Sequence, residues 1–226
     1  MANPKSILMV VTSHDRIDAD HSTGLWYEEF AAPFALFEQA GYRVAVASPK
    51  GGSVPIDPRS MPESPDLAAD QAALAMLANT VSLDSVDAAS FDAVFFPGGH
   101  GTMYDLPDNP QVAELVGRFA DDDKVVASVC HGPASLVGAR RADGTPLVAG
   151  RRVTAFTNAE EAAVELDGLM PFLLESRLRE LGARVETSDN WDDHVVVDGK
   201  LVTGQNPQSS ASAARAVVKL LQGEHA

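Results

Sequence analysis

The sequence predicts an α/β fold, a mostly parallel sheet with helices on both faces, and three observations predict it. Short apolar, β-branched runs recur along the 226 residues, several of them apolar almost throughout, as strands covered on both faces must be. Segments with the helical spacing of apolar residues lie between those runs. Neither a Pro/Ser-rich linker nor an internal repeat interrupts the alternation, so residues 1–226 read as one domain.

Taken in order, Ile7–Val11 opens as a strand and Gly24–Ala40 follows as a helix, closed by Gly41 acting as a left-handed cap. Val44–Ala47 is the second strand. The segment Gly51–Asp70 carries Pro55, Pro58, Pro62 and Pro65 and reads as a long irregular loop, of the kind that often carries function. A helix over Leu67–Leu77, a strand over Ala93–Phe96, a helix over Pro110–Phe119 and a strand over Val125–Val129 continue the alternation. Beyond them we expect a helix at Pro133–Val137, a strand at Val153–Phe156, a helix at Gly168–Leu181 capped by Gly182, and a strand at Val185–Thr187. Val195–Thr203 reads as a hairpin turning at Asp198-Gly199. Asn206 is placed to cap a last helix that begins at Pro207 and runs to Leu221.

Lys and Arg number 17 against 32 Asp and Glu, a formal charge of −15, which argues against nucleic acid or an anionic membrane surface as a partner. A single cysteine excludes an internal disulfide and fits a reducing compartment. Ile7–Val11 is too short for a membrane span or the core of a signal peptide, so a cytoplasmic location is the expectation.

That cysteine, Cys130, stands where the apolar run Val125–Val129 stops, and His131-Gly132-Pro133 follows it. Free cysteine is among the most buried residue types, so an inert core role is the plain alternative. A thiol on a sharp turn between a strand and a helix reads differently. It would lie near unpaired N–H groups at a positive helix terminus, which favours thiolate, and the N–H of His131 would be free to meet a developing oxyanion.

Ligand sites in open α/β sheets gather at the carboxyl ends of strands, so candidates near other strand ends accompany Cys130. Pro97-Gly98-Gly99-His100-Gly101 follows a buried strand, and its glycines let backbone N–H groups come close to a substrate. Trp26-Tyr27-Glu28-Glu29-Phe30 draws at least one carboxylate, Glu29, toward the packed side of its helix; a solvated pair at a helix start is the alternative. Thr157-Asn158-Ala159-Glu160-Glu161 reads as a helix cap whose carboxylates could also orient His131. His14-Asp15-Arg16-Ile17-Asp18-Ala19-Asp20-His21 collects imidazoles and carboxylates but lacks the spacing of a zinc helix or a calcium loop. No phosphate-binding glycine motif follows the first strand, so no nucleotide cofactor is expected.

Together, Pro97-Gly98-Gly99-His100-Gly101, Ser128-Val129-Cys130-His131-Gly132-Pro133 and Glu29 four residues before Pro33 resemble the PfpI superfamily, also called class I glutamine amidotransferase-like. Val153 through Glu161, Asn190-Trp191-Asp192-Asp193 and Leu201 through Pro207 resemble more narrowly its branch named after heat-shock protein thirty-one, which holds glyoxalase III enzymes and chaperones. The resemblance implies a flavodoxin-like three-layer sandwich with a nucleophile elbow. It makes Cys130 the nucleophile, His131 its base and Glu29 the acid at the thiol, with Glu161, or its neighbour Glu160, orienting His131. The N–H groups of Gly99 and His131 would form the oxyanion site. The activity implied is glutathione-independent conversion of methylglyoxal or a related 2-oxoaldehyde to a 2-hydroxy acid, without metal or cofactor, in a homodimer. Deglycase activity on glycated proteins, a holdase role toward unfolded proteins, and Cys-dependent amide hydrolysis are the other activities it leaves open.

Overall fold

The computed structural model describes residues 4–62 and 68–224. Seven strands form one sheet in the order β3-β2-β1-β4-β5-β9-β8. Five of them, β1 (Ser6–Val10), β2 (Arg43–Ser48), β3 (Val81–Ser82), β4 (Ala93–Phe96) and β5 (Val125–Val129), run parallel. β9 (Leu201–Gly204) joins β5 in parallel, and only β8 (Val195–Asp198) is antiparallel, paired to β9. β6 (Arg152–Val153) and β7 (Arg184–Val185) make a separate two-stranded ribbon.

Strand alternation feeds two cores. Ile7, Met9, Phe95, Val125, Ala127 and Val129 face α1 (Tyr27–Gln39), α2 (Ala68–Ala78) and α7 (Ser210–Leu221). Leu8, Val10, Val94, Phe96 and Val126 face the opposite layer, where α4 (Pro110–Asp121) and α6 (Leu174–Glu180) supply Val112, Leu115, Val116, Phe119, Leu174 and Leu178. The short helices α3 (Thr102–Asp105) and α5 (Asn158–Ala163) lie just beyond β4 and the ribbon strand β6. This is the expected three-layer, mostly parallel sandwich, its central strands sealed on both faces. Among the described residues no helix is long and apolar enough to cross a membrane.

The structure corrects several boundaries. The first helix starts at Tyr27, because Trp26 is extended and Leu25 pairs with Ile56 of the proline-rich segment. Pro133–Val137 is not an α-helix but part of a 3₁₀ turn over Gly132–Leu136. Of Val153–Phe156 and Val185–Thr187 only Val153 and Val185 are strand, each ending a two-residue ribbon strand, since the β8–β9 hairpin occupies the place beside β5. Pro171 holds the chain out of helix until Leu174. The hairpin turns at Gly199-Lys200, one residue later than expected, because Asp198 still pairs with Leu201. Asn206 makes no helix cap, and a 3₁₀ turn at Pro207–Ser209 precedes α7. Of the loop expected over residues 51–70, residues 63–67 lie outside the described residues, as does Leu67 at the start of the expected second helix.

Phe95 is fully buried on β4 and meets Phe37 edge-on at 5.7 Å between ring centroids. Phe95→Ala is expected to cost about 3–5 kcal/mol in urea denaturation, whereas Met61→Ala, at an exposed position, stays within about 0.5 kcal/mol.

Candidate active site

The carboxyl ends of β4 and β5 converge on Cys130. Its φ of +60° is the strained left-handed turn that a nucleophile elbow requires. Pairing on both sides holds it: the Cys130 N–H donates to the Gly204 carbonyl at 3.0 Å, and the Cys130 carbonyl accepts from the Phe156 N–H at 2.9 Å. The turn that follows is too short to supply a helix macrodipole, so the state of the thiol is set by its side-chain neighbours.

Glu29 is one neighbour. It projects from the first turn of α1 and is fully buried, while Glu28 beside it is exposed. Its Oε2 accepts the Gly98 N–H at 2.6 Å. Glycine is needed there, since a Cβ on Gly98 would stand 2.7 Å from that oxygen and 2.6 Å from the His131 nitrogen. Oε1 has no hydrogen-bond partner among the described residues, and the carboxyl as a whole lies beside the Cys130 thiol. Burial pushes the Glu29 carboxyl up to about 8, against the lowering effect of its bonds to Cys130 and Gly98. It is therefore protonated at neutral pH. Burial pushes the Cys130 thiol up as well, and the charge of Glu29 would push it further. With Glu29 neutral that second push is absent, and at neutral pH the coupled pair rests as a carboxyl and a thiol, both protonated.

His131 is the other neighbour. Its Nδ1 lies 3.3 Å from Cys130 Sγ, and its Nε2 lies 2.7 Å from Glu161 Oε2. His100, a residue not singled out from the sequence, places its own Nε2 2.7 Å from Glu161 Oε1. Burial raises the Glu161 pKa, but the two imidazoles, His131 first, hold it well below the usual carboxylate range. An ionised carboxylate only accepts, so each Nε2 donates, which leaves Nδ1 of a neutral His131 to accept from the thiol. Burial, with His131 as neighbour, drops His100 to about 4 despite its bond to Glu161, so it stays neutral.

The ambiguity between Glu160 and Glu161 resolves by partners. Glu160 closes a capping box with Thr157 and accepts from the N–H of Trp191 and the side-chain amides of Gln205 and Asn206. It thereby fixes the segment bearing Trp191, and Glu161 alone meets the imidazoles. The N–H groups of Gly99 and His131 donate to no acceptor among the described residues, and both residues line the cavity of about 130 Å³ that contains Cys130. Trp26, Phe156, Val164, Trp191 and Pro207 give that cavity apolar walls; Arg59, from the proline-rich segment, is its one cation.

His100, His131 and Glu161 bring three ligand atoms within 4.8 Å of one another and could hold a metal ion. In the run from His14 to His21, Asp18 accepts from His21 and caps its own turn, and His14 stacks on Tyr104. The arrangement at Cys130 can add a sulfur to a carbonyl, receive the oxyanion on backbone donors and move protons through His131 or Glu29.

The sequence pattern of the DJ-1/PfpI family matches residues 23–220. The glutathione-independent glyoxalase HSP31 of Saccharomyces cerevisiae is 29% identical over 93% of this chain and 95% of its own. Glyoxalase 3 of Candida albicans is 28% identical over 94% and 96%. Among solved structures, glyoxalase III of Candida albicans superposes with a TM-score of 0.85 over 95% of this chain and 96% of its own, at 28% identity. The Rapid Encystment Protein of Francisella tularensis gives 0.91 at 34% identity, over 96% and 99%.

Two outcomes follow from the carboxyl groups. Between the ordinary carboxylate range and about pH 8 the folded chain keeps a proton on Glu29 that the unfolded chain has lost, so stability falls as pH rises and levels off above about 8. His100 works in the opposite direction, but only below about pH 6.5. From about pH 6.5 to about 8 urea denaturation is thus expected to show a loss of about 1–2 kcal/mol that Glu29→Gln removes. Glu160→Gln sets an amide against several donors and is expected to cost about 1–3 kcal/mol in the same assay.

Proposed function

The chain belongs to the DJ-1/PfpI family, and from that premise we propose that it is a glutathione-independent glyoxalase that converts methylglyoxal or a related 2-oxoaldehyde to the 2-hydroxy acid. The observation that carries the reading is the relay from Cys130 through His131 to Glu161, with a protonated Glu29 at the sulfur. The names of the relatives point the same way.

Each residue has a task in this reaction. The Cys130 proton passes to His131 Nδ1 as sulfur bonds to the aldehyde carbon, and the Glu161 carboxylate stabilises the imidazolium. The hemithioacetal oxyanion is received by the N–H groups of Gly99 and His131. His131 first returns its proton to the oxyanion; neutral again, it takes the C1 proton and delivers it to C2 through an enediol, with Glu29 remaining the acid beside the sulfur. The enediol collapses to a 2-hydroxyacyl thioester on Cys130. Water cleaves that thioester, releasing the acid and restoring the thiol. The sum is addition of one water; oxidation at C1 balances reduction at C2, so no external oxidant or reductant takes part.

The holdase alternative would need a broad exposed apolar surface. Among the described residues Met61, Val81, Leu169 and Trp191 are the exposed large apolar side chains, and they sit on four separate segments.

Purified protein with methylglyoxal and no glutathione is expected to form lactate. Cys130→Ala should fold normally and lose at least about 10³-fold in kcat/KM, and Glu161→Gln about 10²-fold. No lactate from the wild type, or turnover that survives Cys130→Ala, sinks the reading. Ammonia from glutamine or new amines from a peptide would transfer it to amide hydrolysis.

A further inference from the structure

We propose that Arg59 is a specificity residue that grips a carboxylate at the far end of the substrate, so that the preferred 2-oxoaldehydes carry a short acidic chain. The inference rests on the reading that Cys130 adds to aldehydes and names their class.

Arg59 is delivered to the cavity by a built support. Across the bridge to the proline-rich segment the Leu25 N–H donates to the Pro55 carbonyl and the Leu25 carbonyl accepts from the Asp57 N–H, and Ser60 Oγ accepts the Tyr27 N–H at the start of α1. Asp57 is fully buried and accepts from the Thr23 hydroxyl and from the Arg59 backbone N–H. It also takes Arg59 Nε at 3.0 Å and Nη2 at 2.7 Å, a side-on fork that fixes the plane of the guanidinium. Burial pushes the Asp57 carboxyl up, and the bonds and charge of Arg59 more than offset it, so the carboxylate stays ionised. The guanidinium lies 5.9 Å over the Trp26 ring, which confines it on a third side.

What remains open is the end-on edge. Nη1 has no partner among the described residues, and Arg59 lines the same 130 Å³ cavity as Cys130. A guanidinium held side-on by one carboxylate still presents a planar pair of N–H donors that matches a second. Away from the Gly99, His100, Cys130 and His131 end, the other lining side chains are aromatic or apolar, so Arg59 is the one group there to hold a charged tail. In a chain of net charge −15 this cation is a local exception at the mouth of the reactive site. A cavity of this size also requires one small molecule to meet both ends: aldehyde at the sulfur, carboxylate at Arg59.

Protection of the chain's single thiol from iodoacetamide reads binding without turnover. Succinate semialdehyde and butanal share a four-carbon chain and one aldehyde, and only the first ends in a carboxylate. In the wild type succinate semialdehyde is expected to give half-protection at about ten-fold lower concentration than butanal. In Asp57→Asn/Arg59→Gln, a pair chosen so that no buried carboxylate is left stranded, the ratio should fall within about two-fold. Arg59→Lys, which keeps the charge but not the fork, should fall between. Quenching of Trp26 fluorescence in a Trp191→Phe background reads the same binding non-covalently. A wild-type ratio near one, or a ratio that survives the double substitution, overturns the proposal and leaves Arg59 as a loop anchor. A preserved Arg59-dependent ratio in a protein that makes no lactate would instead overturn the glyoxalase reading alone.

Discussion

The site depends on a carboxyl group that is buried where a charge would be costly. Glu29 is sealed between the turn after β4 and the elbow after β5, and one short bond from Gly98 holds it there. Removing an ionised carboxylate from water without a cation beside it is far more expensive than keeping its proton, so the group stays neutral. The rest of the local structure accommodates this. Gly98 has no Cβ because one would collide with the Glu29 oxygen and the His131 nitrogen, and Pro33 lacks the N–H that would have closed onto the Glu29 carbonyl within α1. Cys130 accepts a strained backbone to bring its sulfur to the acid, and pairing to Gly204 and Phe156 keeps it there.

Three glutamates near one cysteine acquire three roles from their surroundings. Glu29 has no cation and remains an acid; Glu161 has two imidazoles and remains an anion; Glu160 has backbone and amide donors and holds the wall that carries Trp191. Two carboxyl groups driven to opposite protonation states on either side of a thiol and its imidazole form an acid and base set. His100 belongs to this set through Glu161, whose second oxygen it occupies, and its low proton affinity keeps it neutral.

Much of this was legible in the order of residues, because it follows from local rules. Alternating apolar strands and helices, a lone thiol at a strand end and glycines that close helices with positive φ, as Gly41 and Gly182 do, need no long-range information. What stayed hidden depends on contacts between distant segments. The choice between Glu160 and Glu161 is made by Trp191, Gln205 and Asn206 on one side and two histidines on the other. Arg59 reaches the cavity only because Gly24 and Asp57 let the proline-rich segment dock against Leu25. The helix expected after Cys130 tightened to a 3₁₀ turn, which removed the dipole as a source of thiolate stability and left His131 as the group placed to take the thiol proton. His100 was signalled only by its place after the Gly-Gly turn.

At neutral pH Glu29 is an acid and not an anion. Infrared difference spectroscopy between pH 6 and 9, on the wild type and Glu29→Gln, tests it most directly. The predicted result is a protonated-carboxyl carbonyl band at neutral pH that fades near pH 8 and is missing from the variant. A wild type without that band at neutral pH, with only carboxylate absorption assigned to Glu29, would contradict it.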